Sequence, residues 1–265
     1  MLAEIQKYLA GHPWLDKILW LDSVDSTNTY AKQLAQAGAP EGTIVIADHQ
    51  TGGRGRLGRS FSSPAGMGIY LSVILRPGCK PEKMMHLTCT AGVAVCDALE
   101  KCMGLRPGIK WTNDIVYSSK KLGGILTELS VDTKTGLVDY AIIGVGINCC
   151  QKEQDFPVEI RSMAASLSQI CGKDIDRSLV AVHLIRDLLR LCDTFLSEKA
   201  QLMERYQKDC ITVGRQIVVI RGDEKRYGTA ICVEEDGALL VEFSDGSRES
   251  VNSGEVSVRG MYGYI

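Results

Sequence analysis

Residues 43–75 read TIVIADHQTGGRGRLGRSFSSPAGMGIYLSVIL, and the order of parts inside them limits what the chain can build. Thr43 to Ala47 is a β-branched run that reads as a buried strand, and Gly68 to Leu75 (GIYLSVIL) reads as a second strand closed by Arg76-Pro77. Between them, Gln50-Thr51-Gly52-Gly53-Arg54-Gly55-Arg56-Leu57-Gly58-Arg59-Ser60-Phe61 packs four glycines and three arginines into twelve residues. The Walker pattern GxxxxGK[ST] is missing. Gly53-x-Gly55-x-x-Gly58 formally matches GxGxxG, but a strand follows it where a dinucleotide fold needs a helix, so neither nucleotide-binding fold fits. Glycine lets a backbone approach a ligand closely, and a guanidinium fork matches carboxylate or phosphate oxygens. The loop is therefore a candidate anion site, with a solvated loop of incidental charge as the alternative.

Before this stretch, residues 1 to 20 read as a short helix and a connection, then an extended run from Ile18 to Leu21. Asp25-Ser26-Thr27-Asn28 precedes a helical pattern from Tyr30 to Ala37. These four residues read either as a helix N-cap or as donors and acceptors for a small polar ligand.

After it, Pro81 to Cys102 carries Met84, Leu87, Ala91, Ala94, Val95, Ala98 and Cys102 on one face and predicts a core helix, with His86 as a satisfied structural histidine. Ile109-Lys110-Trp111-Thr112-Asn113-Asp114-Ile115-Val116-Tyr117 predicts two strand-like segments about a turn, and Lys121-Leu122-Gly123-Gly124-Ile125-Leu126-Thr127-Glu128 another strand. Lys121 is either a surface lysine or one held over a ligand. Leu137 to Ile147 predicts a strand with Gly144 and Gly146 inside it, closed by Asn148; glycines weaken a strand unless a ligand or backbone needs the room. Met163 to Ile170 and Ser178 to Lys208 predict helices, the second with Leu179, Val182, Ile185, Leu189, Cys192 and Leu196 as its buried stripe. From Ile211, short alternating segments near 216–220, 226–234, 238–243, 248–251 and 255–258 are separated by hairpin signals such as Asp236-Gly237. They predict a small β-barrel with its boundary near 210.

The chain has 265 residues, 45% apolar and 23% charged, with a net charge of -2, which gives no basic signature for nucleic acid. The ten cysteines fall mostly in apolar runs without a CxxC pair, so they read as reduced, mainly buried thiols and not as a metal or redox site. No apolar run approaches the ~20 residues needed to span a bilayer, and the amino terminus lacks a signal pattern. A cytoplasmic protein without membrane or nucleic-acid partners is expected.

Taken together, Asp25-Ser26-Thr27-Asn28, Gly53-Arg54-Gly55-Arg56-Leu57-Gly58-Arg59, Lys110-Trp111-Thr112-Asn113-Asp114, Lys121-Leu122-Gly123-Gly124-Ile125-Leu126 and Gly144-Val145-Gly146-Ile147-Asn148 resemble, in order and spacing, the motifs of biotin–protein ligases. The resemblance implies an α+β fold: a mixed or antiparallel sheet with flanking helices, like a class II synthetase, over residues 1–210, and an SH3-like barrel over 211–265. It implies that biotin and ATP give biotinyl-5′-AMP, from which biotin passes to a lysine of a biotin carboxyl carrier domain, with Mg2+ accompanying ATP and no dedicated protein metal site. It places Lys121 and Arg56 in the chemistry. Ser26, Thr27, Asn28, Gln50, Gly53, Arg54, Gly55, Arg56, Lys121 and Gly124 then belong to biotin, and Arg54, Arg56, Arg59, Phe61, Asn113, Asp114 and Asn148 to ATP. The glycine/arginine loop becomes a lid, mobile when empty and folded over the adenylate.

Phe61 stands where the family often has tryptophan, and Thr112 where it usually has proline; the first predicts less stacking on adenine, the second a looser turn. About twenty residues precede the first motif, too few for the winged helix-turn-helix of bifunctional members, so a ligase without repressor function is expected. The sheet edge after the loop would allow a homodimer. The rival readings are a lipoate or octanoate ligase or transferase of the same fold, and a non-catalytic biotin sensor.

Overall fold

The two runs that flank the glycine/arginine loop form adjacent antiparallel strands at the heart of the main sheet. The computed structural model describes residues 1–252 and the backbone of 257–260; the remainder of the expected barrel, 253–256 and 261–265, lies outside the described residues. The chain opens with α1 (Leu2–Tyr8), β1 (Ile18–Val24), α2 (Thr27–Gln36), β2 (Ile44–Gln50), β3 (Gly68–Leu75) and α3 (Leu87–Met103). β4 (Gly108–Lys110), β5 (Asp114–Tyr117), β6 (Lys120–Val131) and β7 (Val138–Asn148) follow. Short helices α4 (Val158–Arg161) and α5 (Leu167–Cys171) lead into α6 (Arg177–Thr194) and α7 (Lys199–Asp209). The chain then forms β8 (Gln216–Arg221), β9 (Glu224–Val233), β10 (Leu239–Phe243), β11 (Arg248–Val251) and β12 (Ser257–Gly260).

Seven strands make one sheet in the order β1-β2-β3-β7-β6-β5-β4. Only β1 and β2 run parallel, because α2 carries the chain back between them; every other pair is antiparallel. The sheet is therefore mixed and the fold α+β. A second, five-stranded antiparallel sheet has the order β11-β10-β9-β8-β12.

Side-chain alternation sorts the main sheet into two faces. Ile69, Leu71, Val73 and Leu75 of β3, with Ala141, Ile143, Val145 and Ile147 of β7, join the main core with α3 and α6. On the opposite face, Ile74 of β3 and Tyr140 and Ile142 of β7 pack on Ala31 and Ala35 of α2. This second apolar cluster is small and stops short. Beyond it the same face continues with Ser72, Gly144, Gly146, Gly124 and Leu126, and there the site lies.

Three helix expectations are corrected. Residues 81–102 do not form one helix: a 3-10 turn at Pro81–Met84 precedes α3. Residues 178–208 break between Thr194 and Lys199. The two breaks are one feature, since His86 Nε2 donates to the carbonyl of Phe195 at 3.0 Å and the two rings stack at 6.0 Å. A helical continuation would have claimed that carbonyl for itself. The turn leaves Leu196 exposed, and Leu179, in the first turn of α6, is only half-buried, so neither belongs to the buried stripe. In the third case, only Leu167–Cys171 of the stretch 163–170 is helical, because the backbone of Met163 and Ala165 pairs with Lys121 instead.

All ten cysteines are free thiols. Burial pushes the thiols of Cys89 and Cys192 up to about 12 and raises those of Cys96, Cys149 and Cys210. A buried thiol that stays protonated is a poor nucleophile. An aqueous disulfide reagent at pH 8 is therefore expected to titrate no more than the five half-buried cysteines of the native protein and all ten in denaturant. Rapid native reaction of a sixth would contradict this packing. No helix among the described residues is long and apolar enough to cross a membrane.

Candidate active site

Two cross-strand rows floor the site. Ser72, Gly144 and Leu126 stand side by side on β3, β7 and β6, and next to them stand Tyr70, Gly146, Gly124 and, on β5, Asp114. Where a strand would ordinarily project side chains, Gly124, Gly144 and Gly146 project none, and a cavity of about 830 Å³ opens over them. That volume lies in the range of small-molecule sites. The space is already shared with protein. A Cβ on Gly144 would lie 2.0 Å from Asn28 Oδ1, and one on Gly146 2.6 Å from the Phe61 ring. At Gly124 a Cβ would meet only Asp114 and Lys121, at an ordinary 3.6 Å, so packing does not forbid a side chain there and the cavity does.

At one end the floor meets the first turn of α2. Ser26 makes no side-chain cap, so the capping alternative is set aside. Ser26, Thr27 and Asn28 are buried, and the latter two are held by strands. Thr27 N and Oγ1 donate to Gln50 Oε1 at 2.8 and 3.1 Å, and Gln50 Nε2 donates to Ser63 Oγ at 2.8 Å. Asn28 Nδ2 donates to the Leu126 carbonyl and to Glu128 Oε2, at 3.2 and 2.9 Å, while its Oδ1 accepts from Ser72 Oγ at 2.6 Å. Sequence adjacency suggested a local motif, but the partners come from three separate strands, β2, β3 and β6.

The glycine/arginine loop covers this end as a small structured excursion. Gly55 N bonds Arg59 O and Phe61 N bonds Gly53 O, at 2.7 and 2.8 Å. Its three arginines differ. Arg54, half exposed, pairs with Glu128 at 3.3 Å. Arg56 reaches inward, its Nη1 donating to Thr112 Oγ1 and Asn113 Oδ1 at 2.9 Å each. Burial lowers the Arg56 pKa and the Asp114 carboxylate opposes that shift, but a guanidinium stays charged throughout. Arg59 is exposed on the cavity rim.

Farther along, Lys121 Nζ meets Asp114 Oδ1 at 2.5 Å beneath the open space over Gly124. Asn113 is locked to β6, its Nδ2 on the Ile125 carbonyl at 2.9 Å, and Asn148 donates to the Ala165 carbonyl at 3.2 Å. On the far side Trp111 lines the cavity, joined to Thr112 by a cis peptide bond. Later parts of the chain hold it: Thr212 Oγ1 accepts from Trp111 N at 2.9 Å, the Gly237 carbonyl from Trp111 Nε1 at 3.0 Å, and Tyr206 OH donates to the Thr112 carbonyl at 3.0 Å.

Every residue assigned from the sequence to biotin or ATP lines this one cavity except Gly53. Gly53 is corrected to a packing role: it is buried, and a Cβ there would lie 2.3 Å from the Phe61 carbonyl, so it shapes the loop from outside. The phenyl ring of Phe61 lies against Gly146, with Tyr70 edge-on at 6.4 Å. Sequence reasoning missed Phe156, Ile160, Met163 and Ala164, which roof the cavity. These scattered apolar residues reach it only because Lys121 bonds the backbone of Met163 and Ala165. It also left Lys110 and Trp111 without a role, although both line the cavity.

The cavity thus offers hydrogen bonds at one end and cationic groups at the other, over an apolar middle. Asp114 is the acidic side chain that lines it, and no cluster of three or more metal-ligating side chains occurs among the described residues.

Residues 20–148 match the biotin/lipoate A/B protein ligase family and residues 212–259 the biotin protein ligase C terminal domain. The bifunctional ligase/repressor BirA of Bacillus subtilis is 36% identical over 233 residues, covering 88% of this chain and 71% of that protein. A biotin--[acetyl-CoA-carboxylase] ligase of Mycobacterium tuberculosis is 31% identical, covering 93% and 90%. The structure of the biotin protein ligase from Aquifex aeolicus in complex with biotin and ATP is similar at a TM-score of 0.76 and 32% identity, over 92% of this chain and 98% of that one.

Proposed function

The chain belongs to the biotin/lipoate A/B protein ligase family, and on that premise we propose that it activates biotin with ATP and transfers it to a lysine of a biotin carboxyl carrier domain. The observation that carries the reading is the single cavity joining a buried hydrogen-bonding end, Thr27, Asn28 and Gln50, to a cationic end, Arg56 and Lys121. Residues 1–210 act as the catalytic unit and 211–265 as a second unit that supports its far wall.

In the first step a carboxylate oxygen of biotin attacks the α-phosphorus of ATP, the bond to the bridging oxygen breaks, and pyrophosphate leaves. Two anions must meet, and fixed cations in a sheltered site lower that barrier. Lys121 sits at the meeting point and neutralises both, moving from Asp114 to the incoming oxygens. Arg56, braced by Thr112 and Asn113, holds the adenylate phosphate, and the network of Thr27, Asn28 and Gln50 receives the polar ring of biotin. Asp114 would be the side chain to help hold Mg2+ carried in with ATP, and the ion would supply charge neutralisation. In the second step the carrier lysine amine attacks the acyl carbonyl, and AMP leaves. The loop from Gly53 to Phe61 and the roof keep water from the mixed anhydride meanwhile.

The test is incorporation of labelled biotin, lipoate or octanoate into a purified carrier domain, with pyrophosphate release followed in parallel. ATP-dependent transfer of biotin alone is expected. Acylation by lipoate or octanoate without biotin transfer would overturn the assignment, and tight biotin binding with no pyrophosphate release would make the protein a sensor.

A further inference from the structure

Glu128 lies outside the cavity lining and outside every motif that pointed to the site, yet two of the site's parts depend on it. It follows Gly124 and Leu126 on the same face of β6, one position beyond the floor. One carboxylate oxygen, Oε2, accepts from Asn28 Nδ2 at 2.9 Å, and the other, Oε1, pairs with Arg54 Nη1 at 3.3 Å. We propose that Glu128 is a positioning residue that aligns Asn28 for the ligand with one oxygen and latches the base of the glycine/arginine loop with the other.

The two contacts differ in kind. Asn28 is 4% exposed, and a carboxamide offers two donor hydrogens. Both are used, on Leu126 O and Glu128 Oε2, with Ser72 on its oxygen, so what Asn28 offers a ligand is the second lone pair of Oδ1, which stands over Gly144. Glu128 thereby fixes which way the amide faces, and its loss would leave a buried donor unsatisfied. The Arg54 contact joins a side chain 52% exposed to one 24% exposed, and pairs of that kind are weak and screened. A weak pair can be exchanged. When a phosphate enters the cavity, Arg54 can leave Glu128 for it at little cost, so the latch restrains the loop in the empty protein and releases it to the adenylate.

This inference rests on the biotin-ligase reading for its kinetic arm alone. Glu128→Ala is expected to raise the KM for biotin about tenfold, as the loss of a hydrogen bond to a buried group implies, with kcat for biotin-dependent pyrophosphate exchange and the KM for ATP within about twofold, the pattern of lost ground-state binding. Glu128→Gln keeps an acceptor for Asn28 but removes the charge, so it should restore the biotin KM to within about threefold of wild type. In ligand-free Glu128→Gln, amide hydrogen exchange across residues 54–60 should rise two- to fivefold, the scale of an exposed ion pair, and return to the wild-type rate once biotinyl-AMP is bound. Equal rises in both KM values, or a failure of glutamine to rescue, would reduce Glu128 to a structural residue and overturn its positioning role. Unchanged loop exchange in Glu128→Gln would overturn the latch. If wild type itself performs no biotin-dependent exchange, the functional reading fails, while the ligand-free hydrogen-exchange arm still decides the latch.

Discussion

Lys121→Ala is expected to slow biotin-dependent pyrophosphate release by on the order of 10²- to 10³-fold, the scale seen when one preorganised charge-stabilising group is removed, while biotin binding falls much less. Two effects add. The mutation deletes the cation at the meeting point of carboxylate and phosphate, and it takes from Asp114 its partner at 2.5 Å, which leaves more negative charge in the path of ATP. The second effect yields a specific signature. Lys121→Ala/Asp114→Ala should be faster than Lys121→Ala alone, because the repelling carboxylate has gone with the lysine. Single-turnover pyrophosphate release measures both, and a Lys121→Ala protein with undiminished adenylation would remove Lys121 from the mechanism.

Gly144→Ala is expected to damage both the fold and the ligand site. Its Cβ would lie 2.0 Å from Asn28 Oδ1, so the amide must move and surrender the contacts to Ser72, Leu126 and Glu128. Overpacking of this kind costs about 1–3 kcal/mol, and stranding buried polar groups about 1–3 kcal/mol more. Together these predict a fall in Tm of roughly 5–20 °C and a rise in the biotin KM of roughly 100-fold. Gly124→Ala is the control. Its methyl would make only 3.6 Å contacts, so it should keep the wild-type Tm within about 2 °C yet still lose ligand affinity by intruding on the cavity. Calorimetry and biotin titration distinguish the two, and a wild-type biotin KM in Gly144→Ala would refute the account of the floor.

Most of this site was legible because its residue types are unusual for their positions. Arginines among glycines, and glycines inside an apolar strand at 144 and 146, are costly unless something needs the charge or the room, and that cost is visible in one dimension. What escaped was set by partners distant in sequence. Ser26-Thr27-Asn28 has the composition of a cap, and only the arrival of Gln50, Ser72, Leu126 and Glu128 turns it into a binding surface. The helix from 178 breaks without glycine or proline because His86, more than a hundred residues earlier, claims the Phe195 carbonyl. Gly53 was read with its neighbours as a ligand contact, but its own carbonyl and Cα face the loop's return strand. Phe156, Ile160 and Met163 carry no polar signature, so nothing but the backbone pairing of Lys121 marks them as a roof.

The far side at Trp111 and Thr112 imposes an order in time. Its bracing groups on Tyr206, Thr212 and Gly237 leave the ribosome after the loop and Lys121, by roughly five to thirty-five seconds at about 5–20 residues per second. A growing chain therefore carries the reactive cations before it owns the enclosure that makes them useful. The enclosure beside Lys121 is complete only once Thr212 and Gly237 have been added to the chain.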